Sequence, residues 1–303
     1  MSRITVVGLG ETLWDVFPDG PRLGGAPLNY SCSVAELAKS DAQVFIASAV
    51  GSDELGRRAM DSLARHGVNT TCMQTNDRQT GQVLVELDSA GVASYRFADN
   101  CAWDHLVWNS SLQELAAKCD AVCFGTLGQR SECSRATIRR FVNETSDDTL
   151  RILDVNLRSP FFDNEVISDS LALASVLKLN DDELTLLADL YGVKGNHIEI
   201  MRKLAEQFQL RCIALTRGAN GAVLVCGSAV SDLPGIKVKV VDTVGAGDAF
   251  TAAMTLGLLD GRDIDEVNRR AIAAASWVCS QPGATVIFPV GLFNLAPSSS
   301  PER

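Results

Sequence analysis

The chain has few basic residues, few histidines and no long apolar run. Lysine and arginine number 27 against 37 aspartates and glutamates among 303 residues, which gives a formal net charge of −10. This balance argues against a nucleic-acid partner, because no basic surface is available to neutralise a phosphate backbone. No apolar run approaches the roughly 18 residues that a membrane-spanning helix needs, so we expect no membrane partner.

Nine cysteines are scattered without a Cys-x-x-Cys pair, and no histidines cluster near them. Zinc sites use such spacings, so zinc is not expected. The odd number of cysteines and the lack of a signal peptide predict reduced thiols and a cytoplasmic location. The length fits one large α/β domain, and we predict a single domain over residues 1–303.

Strand-like and helix-like segments alternate along most of the chain. Predicted strands lie at residues 4–11, 44–50, 121–124, 150–154, 175–179 and 212–216, and predicted helices lie at residues 54–66, 135–145 and 181–191. This alternation predicts a three-layer α/β/α, doubly wound, mostly parallel sheet with helices on both faces. Ligands bind such sheets at the carboxyl ends of the strands.

Two regions interrupt the alternation. Residues 12–30 and about 78–104 carry short, more polar strands, among them residues 81–87 and 92–97. We interpret them as a small β-sheet that emerges from the domain and forms a lid over a substrate. A surface excursion without function is the alternative.

The most informative segment is the turn at residues 242–248, with the sequence DTVGAGD. An alternating run at residues 236–241 predicts a strand before it, and the apolar stretch from Ala249 predicts a helix after it. Backbone N–H groups at such a turn bind anions, helped by the helix dipole. Asp248 suits a base that deprotonates an attacking hydroxyl while the turn holds a phosphoryl group. Helix capping by Asp248 explains this segment equally well.

Two common nucleotide-binding patterns are missing. Gly8 and Gly10 follow the first predicted strand, but Leu13 stands where dinucleotide-binding proteins have a third glycine or alanine. No Gly-x-x-x-x-Gly-Lys-Ser/Thr sequence is present either. A dehydrogenase and a P-loop NTPase are therefore both disfavoured.

Two separated signatures, GGAPLN at residues 24–29 and DTVGAGD at residues 242–248, resemble those of the ribokinase-like (PfkB) carbohydrate kinases. Residues 10–15, 154–158 and 178–184 are most similar to fructokinases. The resemblance implies a ribokinase-like fold and transfer of the γ-phosphate of ATP to a hydroxyl of a small sugar, with fructose favoured. Tyr95 and Arg96 also resemble 2-keto-3-deoxygluconate kinases, so that kinase or another sugar or nucleoside kinase is the alternative. A sugar- or nucleotide-binding regulator without catalysis is the non-enzyme alternative.

The resemblance also implies roles for individual residues. Asp248 would be the catalytic base, and Gly245, Ala246 and Gly247 would supply the anion hole. The residues implied in sugar binding are Asp15, Gly25, Asn29, Arg96, Asn156 and Arg158. The residues implied near the nucleotide are Asn180, Thr216, Gly218 and Gly221.

The resemblance extends to metal ions. Glu183 would order Mg²⁺ through water, since Mg²⁺ keeps several waters and needs few carboxylates. Asp242, the Val244 carbonyl and the loop around Gly283 match positions that bind K⁺ in many relatives. Simpler explanations also exist: Glu183 complements a helix N-terminus, Asn29 caps a helix, and Asp15 is a turn residue.

Finally, an apolar lid face with Val83, Val85 and Leu87 predicts a homodimer through the lid.

Overall fold

The computed structural model describes residues 3–17, 20–87 and 93–294. The strands in these ranges are β1 (Ile4–Leu9), β2 (Leu13–Phe17), β3 (Gly20–Gly24), β4 (Ala42–Gly51), β5 (Met73–Asn76), β6 (Gly81–Leu87), β7 (Ala93–Phe97), β8 (Ala121–Gly125), β9 (Leu150–Asp154), β10 (Val176–Asn180), β11 (Cys212–Thr216), β12 (Ala222–Cys226) and β13 (Ala229–Leu233). The helices are α1 (Ala26–Ala38), α2 (Glu54–Arg65), α3 (Ser110–Ala116), α4 (Glu132–Asn143), α5 (Asn164–Leu173), α6 (Asp181–Leu190), α7 (His197–Phe208), α8 (Ala246–Leu259) and α9 (Ile264–Cys279).

The main sheet has the strand order β13-β12-β11-β10-β9-β8-β1-β4-β5. Pairing is parallel from β11 through to β5, whereas the β11–β12 and β12–β13 pairings are antiparallel. The prediction of a mostly parallel sheet is confirmed. Strands β4 and β5 extend to one side of β1, and strands β8 to β11 extend to the other. The reversal beside β1 opens a crevice at the carboxyl ends of β1 and β8, where ligands bind in such sheets.

Both faces of the main sheet are buried, and the short apolar strands show why. Successive side chains of a strand point to opposite faces, so Val6 and Val7 of β1, both 0% exposed, enter two different cores. The core with Val6 is completed by α1, α2, α8 and α9, and the core with Val7 by α3 to α7. Burial of this apolar surface fixes the sheet between two helical layers.

A second, four-stranded sheet has the order β3-β2-β6-β7. A small apolar cluster that includes Leu13, Val83, Trp103 and Leu127 joins it to the turn after β8. The predicted lid segments contain all four strands. Residues from Ala26 onward, however, belong to α1, whose apolar side chains pack against β4 and α8 rather than within the lid.

The predicted strand at residues 236–241 is wrong. The segment forms no ladder, and Ile236, Val238 and Val240 are 44%, 37% and 60% exposed. The edge strand of the main sheet is β13, and the segment after it pairs with no strand of the described ranges. Alternating β-branched residues indicate only a propensity for extended structure. A strand forms only where a neighbouring strand is present to pair with it.

The expectation that all thiols are reduced is contradicted at one pair. Cys212 of β11 and Cys226 of β12 form a disulfide, with Cα atoms 4.1 Å apart. The antiparallel register of these strands sets the two residues opposite each other, 14 positions apart in sequence. The other seven cysteines are free, as expected. Within the described ranges, no helix is long and apolar enough to cross a bilayer.

Candidate active site

A cavity of about 610 Å³ opens at the carboxyl ends of β1 and β9, beneath the small sheet. Its floor includes the turn before α8, and its roof includes Leu13, Val83 and Phe97 of the small sheet. The lining residues that the sequence predicted for the site are Asp15, Gly25, Asn29, Asn156, Arg158, Val244, Gly245, Gly247 and Asp248. The fold therefore brings together residues that range from position 15 to position 248 of the chain.

The turn that leads into α8 takes the form of an anion site. Gly245 has a φ of 80°, a left-handed conformation that favours glycine, and a Cβ there would lie 2.7 Å from the Cβ of Ala284. The N–H groups of Gly247 and Asp248 have no acceptor among the described residues, as expected for the first turn of a helix. The N–H of Ala246 donates instead to the Thr243 carbonyl at 3.3 Å, so in this conformation it is less available to an anion than predicted.

Asp248 does not cap α8. It lies within the first turn, and no side chain makes a cap hydrogen bond at this helix N-terminus. Its Oδ2 accepts a hydrogen bond of 2.9 Å from Nδ2 of Asn29, which comes from the first turn of α1. The capping interpretation of Asp248 is therefore wrong, and its carboxylate is directed to the cavity wall.

The environment of Asp248 holds its pKa near neutrality. Burial is the largest cause, and the nearby Asp154 carboxylate adds to it, so the pKa rises to about 7. The hydrogen bond from Asn29 and the positive charges of Lys178 and Arg158 act in the opposite direction. A carboxylate with a pKa near 7 suits proton abstraction at physiological pH.

A buried ion pair lies under the turn. Nζ of Lys178 is 3.0 Å from Oδ1 of Asp154, and both side chains are less than 10% exposed. Burial disfavours the ammonium, but Asp154 and Glu183 outweigh it, so the pKa of Lys178 is raised. A Cβ on Gly247 would lie 3.0 Å from Nζ, which places the ammonium directly beside the backbone of the anion site.

Glu11 also lines this cavity. It follows β1 and is 2% exposed, and its Oε1 accepts the N–H of Ala26 at 3.1 Å. Burial raises the pKa of Glu11 to about 7, with the Asp248 charge as a smaller cause in the same direction. Among described residues, no donor reaches its buried Oε2 atom.

The small sheet contributes polar and apolar groups to the roof. Asp15 of β2 is partly buried, and burial raises its pKa while the charge of Arg158 lowers it. Gly25 has a φ of 108°, and a Cβ there would lie 2.8 Å from the Glu11 carbonyl, so only glycine fits this close approach. Arg96 of β7 is exposed and pairs in register with Leu84, and it is not among the residues that line the cavity.

The loop after β9 forms one side of the cavity. Asn156 has a φ of 37°, a conformation that asparagine adopts more readily than most residues. Asn156, Leu157, Arg158 and Ser159 all line the cavity. The charge of Arg158 acts on Glu11, Asp15 and Asp248, so a cation lies near all three carboxyl groups.

The residues predicted near the nucleotide lie next to this cavity along the sheet edge. Asn180 ends β10 and pairs in register with Thr216, the last residue of β11. Gly218 and Gly221 form the short turn that links β11 to β12. None of these four is among the residues lining the described cavity, but all lie at or just after the carboxyl ends of the parallel strands β10 and β11.

Glu183 is first of all a capping residue. Its Oε2 accepts the N–H of Asn180 at 2.9 Å, and its Oε1 accepts the N–H of Leu157 at 3.0 Å. Asn180 in turn accepts the N–H of Glu183, which completes a capping box. Each carboxylate oxygen keeps a second lone pair, so the residue fits an indirect, water-mediated contact with Mg²⁺.

Asp242 ties together the two segments predicted to hold K⁺. Its Oδ1 accepts the N–H of Val244 at 3.0 Å, and its Oδ2 accepts the N–H of Gly283 at 3.2 Å. The donor set of one carboxylate and nearby carbonyls fits a hard monovalent cation. Within the described ranges, no cluster of three or more His, Cys, Asp or Glu side chains forms a metal site.

Sequence reasoning gave no role to three residues of this site: Glu11, Asp154 and Lys178. Each was part of a quoted motif. A usable signal was present, because Asp154 and Lys178 are charged residues within mostly apolar strands, where a charge is almost never buried without a partner.

Comparisons with known proteins agree with this geometry. The model of the pfkB family of carbohydrate kinases matches residues 19–290. Probable fructokinase-5 of Arabidopsis thaliana is 30% identical, with 94% of each chain covered. A fructokinase of Escherichia coli is 27% identical, with 95% of each chain covered.

Solved structures share the fold. A fructokinase from Xylella fastidiosa with bound ATP superposes with a TM-score of 0.83 at 23% identity, covering 96% of this chain and 98% of the other. A fructokinase from Vibrio cholerae O395, in a form with fructose, ADP and calcium ion, gives a TM-score of 0.81 at 21% identity, covering 97% and 99%. These superpositions confirm the predicted ribokinase-like architecture, and the family match confirms the resemblance carried by the two signatures. The chain belongs to the pfkB family of carbohydrate kinases.

Proposed function

We propose that this protein is an ATP-dependent sugar kinase that transfers the γ-phosphoryl group to a hydroxyl of a small sugar, most favourably fructose. The observation that carries the proposal is the placement of Asp248. It stands in the first turn of α8, beside backbone N–H groups without an acceptor among the described residues, and faces a cavity of about 610 Å³. Fructose is favoured because relatives aligned over nearly the whole chain are fructokinases.

Asp248 would take the proton of the sugar hydroxyl as the oxygen attacks the γ-phosphorus in line. The new O–P bond forms while the bond to the departing ADP oxygen breaks. The N–H groups of Gly247 and Asp248, the helix dipole and the Lys178 ammonium would stabilise the transferring phosphoryl group. Positioning and charge stabilisation are the main contributions that phosphoryl transfer needs from a protein.

The sugar would lie between the small sheet and the start of α1. The carboxylate of Asp15 would accept hydrogen bonds from sugar hydroxyls, and Asn156 and Arg158 would add an amide and a cation to the lining. Gly25 lets the backbone approach the ring, while Asn29 both faces the cavity and orients Asp248. Arg96 would join this set only if the small sheet closed further over the sugar.

The nucleotide would lie along the sheet edge next to the sugar, near Asn180, Thr216, Gly218 and Gly221. Glu183 would hold the water shell of a Mg²⁺ ion, whose charge would neutralise the phosphates. K⁺ would lie beside the turn, at Asp242, the Val244 carbonyl and the Gly283 loop.

Because the reaction draws on ATP, we also propose that the protein works in the cytoplasm, which cell fractionation tests.

A homodimer through the small sheet also belongs to this proposal. Its outer strands β3 and β7 are edges of the described sheet, and an open edge offers backbone groups to a partner strand. Of the apolar residues predicted at this face, Val83 is buried against the domain, and the side chains of Val85 and Leu87 lie outside the described part. Light scattering on the purified protein distinguishes a dimer from a monomer.

The test is an ADP-release screen with Mg²⁺ across fructose, 2-keto-3-deoxygluconate, ribose and adenosine, with and without K⁺. We expect fructose to give the highest kcat/KM and the Asp248→Asn variant to turn it over at least about 10²-fold more slowly. A preference for 2-keto-3-deoxygluconate would move the assignment to the acid-sugar kinases. If no compound is phosphorylated while sugar or ATP still binds, the protein is a regulator and the proposal is wrong.

A further inference from the structure

A second, much smaller cavity lies behind the catalytic carboxylate. It offers about 10 Å³ to the centre of a water-sized sphere, which is about the room that one water molecule needs. Three acidic residues line it: Glu11 after β1, Asp154 at the end of β9 and Asp248 in α8. The lining also includes Cys123 and Thr126.

The three acidic residues differ in how their oxygens are satisfied. Asp154 is paired with Lys178 at 3.0 Å and accepts the hydroxyl of Thr251 at 3.3 Å. Asp248 accepts the amide of Asn29. Glu11 is different, because its buried Oε2 has no hydrogen-bond partner within the described ranges. An unsatisfied buried carboxylate oxygen is costly, and either a proton or a water molecule removes that cost.

We propose that Glu11 and Asp248 form a proton-sharing carboxyl pair, bridged by one water molecule in the small cavity that both residues line. Near neutral pH the pair holds one proton, which resides mainly on Glu11 and leaves Asp248 ionised as the base. Glu11 is thus a positioning residue for the proposed kinase reaction, and this role rests on the proposed function.

The donors and positive charges around Asp248 favour its ionised form and so leave the proton to Glu11, although the charge of Asp154 acts against this. Asp248 has a donor in Asn29 and lies near the ammonium of Lys178 and the guanidinium of Arg158. Glu11 has backbone donors at one oxygen and the charge of the same guanidinium, but no side-chain donor and no ammonium among the described groups that shift its pKa. The titratable and charged groups that face the pair are Cys123 on β8, Asp154 on β9, Arg158 after β9 and Lys178 on β10.

The pKa values agree with the geometry. Burial, as the largest cause, raises the pKa of both Glu11 and Asp248 to about 7. Two carboxyl groups that interact in one buried site lose their protons in two separate steps, and the steps belong to the pair rather than to either residue. The charge of the ionised partner then adds to burial and moves the second step to higher pH than the first.

Infrared titration of the carboxylic C=O stretch tests the pair in the full-length protein without any substrate. Exposed carboxyl groups ionise at about pH 4, so the signals that remain near neutral pH come from buried acids. We expect two steps in the wild-type protein. Both Glu11→Gln and Asp248→Asn should lose one carboxyl equivalent and the upper step, leaving a single step at lower pH. Asp15→Asn is the matched control, because Asp15 lines the large cavity but not the small one, and both steps should persist.

If either variant retains the ionisation step at higher pH, the proposed carboxyl pair does not exist. Glu11→Gln keeps an acceptor for the Ala26 N–H, and circular dichroism checks that it folds. If Glu11→Gln does not fold, a comparison of the wild-type protein with Asp248→Asn is sufficient, because the upper ionisation step requires both carboxyl groups. The titration is independent of turnover, so a protein that phosphorylates no sugar yet shows this behaviour would refute the proposed function and leave the pair standing.

Discussion

The side-chain amide of Asn29 donates a hydrogen bond of 2.9 Å to Oδ2 of Asp248, across 219 positions of sequence. The two signatures that carried the family resemblance therefore meet at this bond. One supplies the start of α1 and the other the start of α8, and the two helices pack against each other. Asn29 consequently has a second task besides facing a substrate, since it favours the ionised form of the base.

Replacing Asn29 by alanine should move the acidic limb of the pH profile of kcat/KM to higher pH. The hydrogen bond from Asn29 lowers the pKa of Asp248, so its loss raises that pKa and delays ionisation of the base. Asn109→Ala is a control, because Asn109 caps α3 and does not line the cavity. It should lower stability by about 1 kcal/mol and leave the limb in place. An unchanged limb in Asn29→Ala would show that the bond does not tune the base.

Asp248→Asn should lower kcat by about 10²–10⁴-fold, the contribution usual for a general base. The affinity for ATP should change little, because the residue lines the cavity proposed for the sugar, whereas the proposed nucleotide residues lie outside its lining. Stopped-flow turnover and calorimetric titration with ATP measure the two quantities separately. Asp263→Asn offers a comparison, since Asp263 caps α9 and lies outside the cavity lining. A variant at Asp248 that loses ATP binding and turnover together would point to a structural role.

The fold could be predicted because its strands are short, apolar and bounded by helical segments. Strand β9 (Leu150–Asp154) and strand β11 (Cys212–Thr216) begin and end where the sequence predicted. The segment at residues 236–241 could not be judged in the same way. Its alternation is genuine, but whether a neighbouring strand lies beside it depends on the three-dimensional path of the chain.

The candidate site likewise contains residues that local motifs predict and residues whose importance depends on the three-dimensional structure. Asp248 and Asn29 stand in local motifs and could be named from them. Glu11 acquires its importance from contacts with Ala26 and from the cavity it shares with Asp248, which depend on how β1, α1 and α8 converge. Cys212 and Cys226 likewise become partners only through the register of two strands.

Lys178→Met should destabilise the protein and reduce turnover. Removing one member of a buried ion pair leaves the other uncompensated, which typically costs about 3–5 kcal/mol. Adding Asp154→Asn removes the stranded charge, so the double variant should recover part of that stability. Turnover should stay low in the double variant, because the ammonium beside Gly247 is still missing. Urea unfolding and kcat measurements on the three variants check both expectations. Recovery of kcat in the double variant would show that Lys178 serves stability alone.

The pH dependence of stability should change when Glu11 becomes glutamine. Burial raises the pKa of Glu11 from 4.5 to about 7, so the folded protein binds this proton more tightly than the unfolded chain. The resulting stabilisation is complete below the unfolded pKa and is lost as the pH rises through the folded pKa. Glutamine does not titrate, so the wild-type free energy of unfolding should fall relative to Glu11→Gln by on the order of 3 kcal/mol from acidic to neutral pH. Urea unfolding of both proteins at about pH 5 and about pH 8 measures this difference. If the free energy of unfolding changes equally with pH in the two proteins, Glu11 is already ionised at the lower pH and burial does not raise its pKa.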